Sequence, residues 1–353
     1  MLQTCYFLGA NSPSGFYSLY DELTDPNRMT ALYILKGGPG CGKSTFMRRV
    51  ARHAESAGLI VHYILCSADP DSLDAIILPQ KGIAIVDGTA PHVIEATCPG
   101  AVDTYVDLSR FYDHGALQAV KNELISVTAE YKGFYKQAYR ALGAAGELRR
   151  NLIDAADSSE LRLRLQKRAK GIIGRELKKS GTGNTERRFL SAVTHKGTIH
   201  LWDTVRVQAD RVYELADNYG TAHHLLSPIL STAQATGHHT VICPDPMAPD
   251  RLAHLIFPDL SLALVTSSAA APWPGHTYRR LRLDAMADDL LKNSSKPRLR
   301  FTRKMADALT ADGISELKHA KEAHDRLEAL YNPNVDFDGV NAAADRLADT
   351  ILA

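Results

Sequence analysis

At 353 residues, with 45% hydrophobic and 23% charged residues, the chain holds the material for about two ordinary globular domains. A formal net charge of +1 speaks against a generally basic nucleic-acid binder or an acidic tail, and no apolar run approaches the roughly 18 residues that a membrane span needs. The N-terminal stretch MLQTCYFLGANSPSG has neither a basic leader nor a long apolar core, and Cys5, Cys41, Cys66, Cys98 and Cys243 form no C-x-x-C pair. The expectation is therefore a cytoplasmic protein with reduced thiols, without a disulfide framework, a structural zinc site or a membrane anchor.

The first strong element is ALYILK (Ala31–Lys36), a short apolar, β-favouring run, and STFMRRVARHAESAG follows with helical spacing and a stop at Gly58. Between them Gly37, Gly42, Lys43 and Ser44 fall in the G-x-x-x-x-G-K-S spacing of a Walker A phosphate loop, in the strand–loop–helix context the motif requires. The loop Gly37, Gly38, Pro39, Gly40, Cys41, Gly42, Lys43, Ser44 and Thr45 is the expected nucleotide cradle. Its glycines let backbone N–H groups turn inward, and the helix starting near Lys43 adds the positive end of its dipole. Lys43 is expected to reach the β- and γ-phosphates, and the Ser44 hydroxyl to ligate Mg²⁺.

LIVHYIL (Leu59–Leu65) reads as a second strand, followed by a polar turn, CSADPDSLD. GIAIVDGTAPH then supplies an apolar strand ending in Asp87, the Walker B arrangement, whose carboxylate can hold Mg²⁺ directly or through water. Gly38 occupies the position where partition-type ATPases carry a signature lysine, and no Asn/Thr-Lys-x-Asp tetrapeptide for reading guanine is present, so ATP is the expected nucleotide.

The chain also repeats itself. Aligning LYILKGGPGCGKSTFM with VYELADNYGTAHHLLS sets Gly40 on Gly220, Gly42 on Ala222, Lys43 on His223 and Ser44 on His224. The register continues through Gly58 and Gly237, Cys66 and Cys243, Pro79 and Pro258, and Asp87 and Thr266, while FLGANSPSGF upstream echoes FLSAVTHKGT. The second copy thus lacks the lysine, the magnesium hydroxyl, the last loop glycine and the strand-end carboxylate. It is expected to be a scaffold, the alternative being that His223 and His224 at a helix N-terminus still hold an anion.

With these motifs the sequence resembles a family of duplicated bacterial P-loop proteins described mainly as ATP-binding or hypothetical. ILKGGPGCGKSTFM, CSADPDSLD, IVDGTAPH with PGAVD, and SAVTHKG carry the resemblance, which spans most of the chain. It implies ATP binding without fixing a reaction. Relatives of this kind often keep a second phosphate loop, from which ADNYGTAHH departs. The expected fold is α/β: two tandem three-layer P-loop NTPase-type domains with helical appendages, over residues 1–180 and 181–353, the second with a degenerate loop.

The helical appendages are Gly115–Ala156 and Gly313–Ala353, whose aromatic and leucine stripes read as packing surfaces. LRLRLQKRAKGIIGRELKKSGTGNTERR is locally basic, reading as a solvated face, an arginine-bearing lid or a surface for a phosphate-bearing partner, and SGTGNT reads as a flexible linker. For chemistry beyond binding, Asp69, Asp71 and Asp74 in the acidic turn and His92 past Asp87 are candidates to orient water or accept a proton, with Asp69 the leading catalytic candidate beside Lys43 and Asp87. His114 and the histidine pairs 223–224 and 238–239 form no defensible metal set, and Arg279, Arg280 and Arg282 are candidate arginine fingers. The leading expectation is a Mg-dependent ATPase coupling nucleotide binding or hydrolysis to a conformational or partner-binding change. A small-molecule or nucleotide kinase and a non-hydrolysing ATP-bound scaffold are the alternatives, with an unidentified protein partner or small-molecule acceptor implied.

Overall fold

The computed structural model describes residues 2–178, 181, 183–292 and 295–353. The first copy runs through β1 (Thr4–Tyr6), the hairpin β2 (Gly9–Ser12) and β3 (Gly15–Ser18), then β4 (Ala31–Lys36), α1 (Lys43–Ser56), β5 (His62–Leu65), β6 (Leu73–Leu78), β7 (Ile83–Asp87) and β8 (Asp103–Asp107). Helices α2 (His114–Ala119), α3 (Lys121–Ala156) and α4 (Ser159–Glu176) follow. The second copy repeats the order with β9 (Thr185–Arg187), β10 (Ser191–Thr194), β11 (Gly197–His200), α5 (Trp202–Gln208), β12 (Arg211–Ala216), α6 (His223–Ala235), β13 (Thr240–Asp245), β14 (Ala248–Phe257), β15 (Leu262–Ser267) and β16 (Arg279–Arg282). Helices α7 (Leu283–Asp288), α8 (Lys296–Tyr331) and α9 (Phe337–Leu352) close the chain.

The duplication read from the sequence is a duplication of topology. The first sheet has the order β1-β5-β6-β7-β4-β8 and the second β9-β13-β14-β15-β12-β16. The sheets are not purely parallel, as the sequence reading assumed. β6 is antiparallel to both β5 and β7, and β14 to both β13 and β15, while the other pairings are parallel. The reason lies in Leu73–Leu78: the acidic turn ends at Ser72, and the apolar residues after it turn straight back to pair with β5, with the Leu73 side of the strand beginning where a longer turn was expected.

The two faces of each sheet bury different things. On β4, Leu32 and Ile34 point into a core shared by both copies, while Leu35 points to the α1 side, as the two-residue period of a strand requires. The shared core collects Leu32, Ile34 and Val86 from one sheet and Val212, Ile256 and Val265 from the other, around Phe7, Leu8, Phe189 and Leu190. Phe7 and Phe189, equivalent in the two copies, exchange backbone hydrogen bonds of 2.9 and 2.8 Å. Glu22 of the first copy accepts from the Arg187 amide at 3.1 Å and lies 3.8 Å from Arg188.

The helices cross over. α4, which follows the first sheet, lays Leu161, Leu165, Ala169 and Ile172 on the second sheet beside Leu225 and Ile229 of α6. α9, at the end of the chain, packs Val340, Ala344 and Ile351 against Phe46, Met47 and Val50 of α1 on the first sheet. Asp345 fastens it through Arg49 at 2.5 Å and His53 at 3.1 Å. α3 and α8, each 36 residues long and so about 54 Å, pack side by side through Ala138, Leu142, Ala145 and Leu317. A division of the sequence at residue 180 therefore separates the sheets but not their helical cover. Of the expected linker SGTGNT, Ser180 and Thr182 lie outside the described residues, and Thr185 begins β9. No helix among the described residues is long and apolar enough to cross a membrane.

Near the junction of the copies the Glu186 carboxylate sits between His239 (3.3 Å) and Arg188 (3.0 Å). Burial alone pushes its carboxyl up, but the His239 hydrogen bond and the Arg188 charge override that and hold it down to about 2. The same bond raises His239, against the effect of burial. Glu186 thus stabilises the fold above its ordinary 4.5, and that contribution is lost as pH falls toward 2. The His239 contribution is full below its ordinary 6.5 and is lost as pH rises through the raised value. The pair should contribute most between pH 4.5 and 6.5, and in Glu186→Gln the denaturant midpoint, measured against pH, should flatten on both sides of that window.

Candidate functional site

β4 is flanked by β7 and β8, and its last residue, Lys36, leads directly into the glycine loop. Gly40 and Gly42 have φ of +68° and +85°, the left-handed region where L side chains are strained, and Gly42 caps α1 with no side chain over the first turn. Lys43 opens the helix and folds back, its Nζ donating to the carbonyls of Gly37 at 2.7 Å and Gly38 at 2.8 Å. It also lies 3.5 Å from Asp87 Oδ2. Asp87, at the tip of β7, accepts from the Thr89 amide and hydroxyl through Oδ1 at 2.9 and 2.6 Å, which leaves Oδ2 toward Lys43. Ser44 Oγ accepts from the Leu73 amide at 3.0 Å, joining α1 to the start of β6.

Lys43 and Asp87 are therefore brought together, while Ser44 is tied to the start of β6. Asp69 has a different office. Its carboxylate accepts from Asp71 N at 3.2 Å and Ser72 Oγ at 3.1 Å, closing the acidic turn, and meets Lys321 at 3.5 Å. Asp71 is exposed and paired with Lys196 of the second copy. Asp74 is a strand residue, not a turn residue: it is buried on β6, and Tyr20 donates to it at 2.7 Å. Burial raises the Asp74 carboxyl above the usual range, with the neighbouring His92 acting against this. The His92 ring stacks on Tyr20 with centroids 4.5 Å apart.

The sequence reading missed the roof over this loop, which the far end of the chain supplies. A side chain at Gly40 would strike the Asn332 side-chain amide and come within 3.2 Å of the Glu328 carbonyl. In the orientation that satisfies its amide, Asn332 donates to Gly40 O at 2.8 Å. Tyr112 Oη accepts from the Gly38 amide at 2.6 Å, and the Tyr112 and Tyr331 rings lie 5.7 Å apart. Burial first, then the adjacent Cys41, raises the Tyr112 phenol far above its ordinary value, so it is a neutral partner for that amide. Helical stripes in Gly313–Ala353 indicate a buried face, but nothing local in the sequence says that the face ends on the phosphate loop.

The second loop keeps the left-handed glycine, Gly220 at φ +75°, but Ala222 is right-handed where Gly42 is left-handed, and its filling is different. Asp217 stands where the first copy has Gly37, and its carboxylate turns into the loop. Oδ2 accepts from Ala222 N at 2.6 Å, and Oδ1 accepts from Tyr219 N at 3.0 Å and Thr221 Oγ at 3.2 Å. Two amides of the loop are thus bonded to an internal carboxylate. His223 Nδ1 accepts from Leu252 N at 3.0 Å, and His224 lies 3.1 Å from Asp157. These histidines are thus engaged within the protein, not aimed at an external anion. Thr266 bonds back to the carbonyl of Ala253 and takes His254 as an acceptor. The end of α3 roofs this loop as α8 roofs the first: a side chain at Gly220 would strike Ile153 at 2.9 Å.

No protein-family model, curated protein or solved structure matches the chain.

Other candidates fall elsewhere. His238 and His239 pair with Asp259 and Glu186. Arg279 and Arg280 belong to β16 on the second sheet, where they line an 860 Å³ groove with Arg164, Lys167, Arg168 and Arg175 of α4. The two basic stretches of the sequence thus meet, away from the Lys43 loop. Arg282, the last residue of β16, sits on the same strand.

If the Asp217 carboxylate organises the second loop, Asp217→Ala leaves buried amides without an acceptor and should lower unfolding free energy by about 1–3 kcal/mol. Asp217→Asn, which keeps one carbonyl oxygen, should lose less. Denaturant midpoints that are equal in the wild type and Asp217→Ala would show that the loop holds its shape without it.

Proposed function

We propose that the chain is a member of the duplicated bacterial P-loop family that its motifs resemble, and that it binds Mg-ATP in the first copy alone. The observation that carries this reading is the convergence of one glycine loop, one lysine and one strand-end carboxylate. Gly40 and Gly42 take the left-handed turns that bend the loop ahead of α1, and Lys43 sits at the helix start 3.5 Å from Asp87. In this reading Gly37–Thr45 cradles the phosphates, and Lys43 leaves the Gly37 and Gly38 carbonyls for the β- and γ-phosphate oxygens. Bound Mg²⁺ would be held by the Ser44 hydroxyl and the Asp87 carboxylate, and it would neutralise charge on the transferring phosphoryl group.

The Tyr112 hydroxyl accepts from the Gly38 amide and the α8–α9 junction covers Gly40, so in this reading nucleotide entry requires Tyr112 and that junction to yield. That is why an ATPase driving a conformational change is preferred here. The element that must move at the phosphate loop is the end of a 36-residue helix whose other end reaches the second copy, where Arg303 donates to the Asn218 carbonyl at 2.9 Å. Asp69, tied to Lys321 of α8, is placed to move with the roof and is a positioning residue in this scheme.

ADP release from purified protein with Mg-ATP tests the reading. Turnover without an added acceptor should fall by about 100-fold or more in Lys43→Ala, in line with the loss of a main charge-stabilising group, and should stop when Mg²⁺ is chelated. ADP release that begins only when a nucleoside or metabolite is supplied would replace the ATPase with a kinase. ATP at about 100 times its Kd should add roughly 2.7 kcal/mol of stability to the wild type. Absence of any nucleotide-dependent shift would end the proposal.

A further inference from the structure

Behind Lys43 lies a cluster that a nucleotide site of this kind does not need. Asp74 is the second residue of β6, and Asp87 the last of β7. The antiparallel register Ala75 to Val86 sets the two carboxylates side by side at one end of the sheet. His92 returns to the same place from the segment after β7. One ligand atom from each of the three lies within 4.8 Å of the others.

Their burial makes this arrangement expensive as it stands. Asp74, Asp87 and His92 are 4%, 9% and 7% exposed. Neither ring nitrogen of His92 has a hydrogen-bond partner, although both are buried. The nearest acid atom, Asp74 Oδ1, is 3.9 Å from Nε2, beyond hydrogen-bond reach. Tyr20 fixes the geometry from both sides: it stacks on the ring at an interplanar angle of 13° and donates to Asp74 Oδ2, so Oδ1 is the oxygen facing the imidazole. The charged groups around the cluster are two carboxylates and one ammonium, Lys43, which is 3.5 Å from Asp87 on the loop side. Asp74 has no cationic partner within hydrogen-bond reach and lies beside an imidazole whose lone pair goes unused.

A single divalent cation resolves all of this at once. We propose that Asp74, Asp87 and His92 form a binding site for one divalent transition-metal ion, of the Mn²⁺, Fe²⁺ or Zn²⁺ class. Imidazole with carboxylate selects such ions over Mg²⁺ and Ca²⁺, which prefer oxygen alone. Tyr20 then acts as the outer hydrogen bond that orients a ligating carboxylate. The site stands on its own geometry and does not require the nucleotide reading, although Asp87 is common to both.

The surface grouping His324, Asp325 and Glu328 on α8 offers a contrast. Asp325 is exposed and paired with Lys321, and His324 faces Glu328 at 3.8 Å one turn along the same helix. Those groups have partners or solvent and call for no ion.

The test uses full-length, nucleotide-free protein and Mn²⁺ as the probe. Equilibrium dialysis should find one Mn²⁺ per chain, retained in a large excess of Mg²⁺. Spin-echo modulation of the bound Mn²⁺ should show coupling to an imidazole nitrogen, a readout in the wild type that depends on no variant folding. His92→Gln and Asp74→Asn should each weaken Mn²⁺ binding at least about 10-fold with the circular dichroism spectrum unchanged. Lys43→Ala, which the nucleotide reading predicts to lose turnover, should keep its Mn²⁺. Loss of nucleotide binding and loss of metal binding are therefore separate results. Failure of wild-type protein to hold Mn²⁺ or Zn²⁺ stoichiometrically, or bound Mn²⁺ with no nitrogen coupling, would overturn the site.

Discussion

Everything in this molecule is arranged around the place where the two copies meet, at the backbone pair between Phe7 and Phe189. Equivalent residues bonding to each other in both directions is the signature of an isologous contact, the kind a two-fold axis produces. Once that pair is made, β2 and β10, the first strands of the hairpins that follow it, are buried, and each sheet has one face committed to a common core. The opposite face of each sheet still has to be covered. α4 and α9 complete this cover by exchange, each lying on the sheet of the other copy.

The two loops show how one strand–loop–helix arrangement can be filled in two ways. Both lead from a central strand into a helix that starts at the aligned residue, Lys43 in one copy and His223 in the other. In each, a converging set of backbone N–H groups favours a negative charge. The first copy covers its loop with Tyr112, a neutral acceptor for the Gly38 amide. The second copy answers that preference from within, through Asp217. A buried carboxylate that accepts several amides is a strong local tie even though desolvation raises its pKa. The second loop is therefore a finished piece of structure.

How far this was legible in the sequence depends on the range of the interaction that carries the information. Gly37–Ser44 could be read because loop, helix start and lysine are specified within a few residues, and the aligned halves could be read because equivalent folds keep their landmarks in order. Asp87 could be read from its place at the end of an apolar strand. The reversal of β6 could not, since LDAIIL states that a strand is buried and not which way it runs. Nor could the helix exchange: a stripe on α4 or α9 records that a face is covered, never by whom. Asp217 is the instructive case. In the alignment it counts as a lost glycine, whereas in space it is a replacement ligand. The His92 cluster was invisible for a similar reason, because the three residues at 74, 87 and 92 converge only through the β6–β7 register and the Tyr20 ring.

The exchanged helices have one more consequence. Formally the chain is a domain-swapped homodimer whose two subunits have been fused into one polypeptide. In a dimer of separate chains the roof over each loop would depend on the protein's concentration, and dilution would strip it. Fusion makes that association intramolecular, with an effective concentration on the millimolar scale typical of short tethers. The second copy is then best regarded as a permanently attached subunit, one whose service to its neighbour is to be always bound.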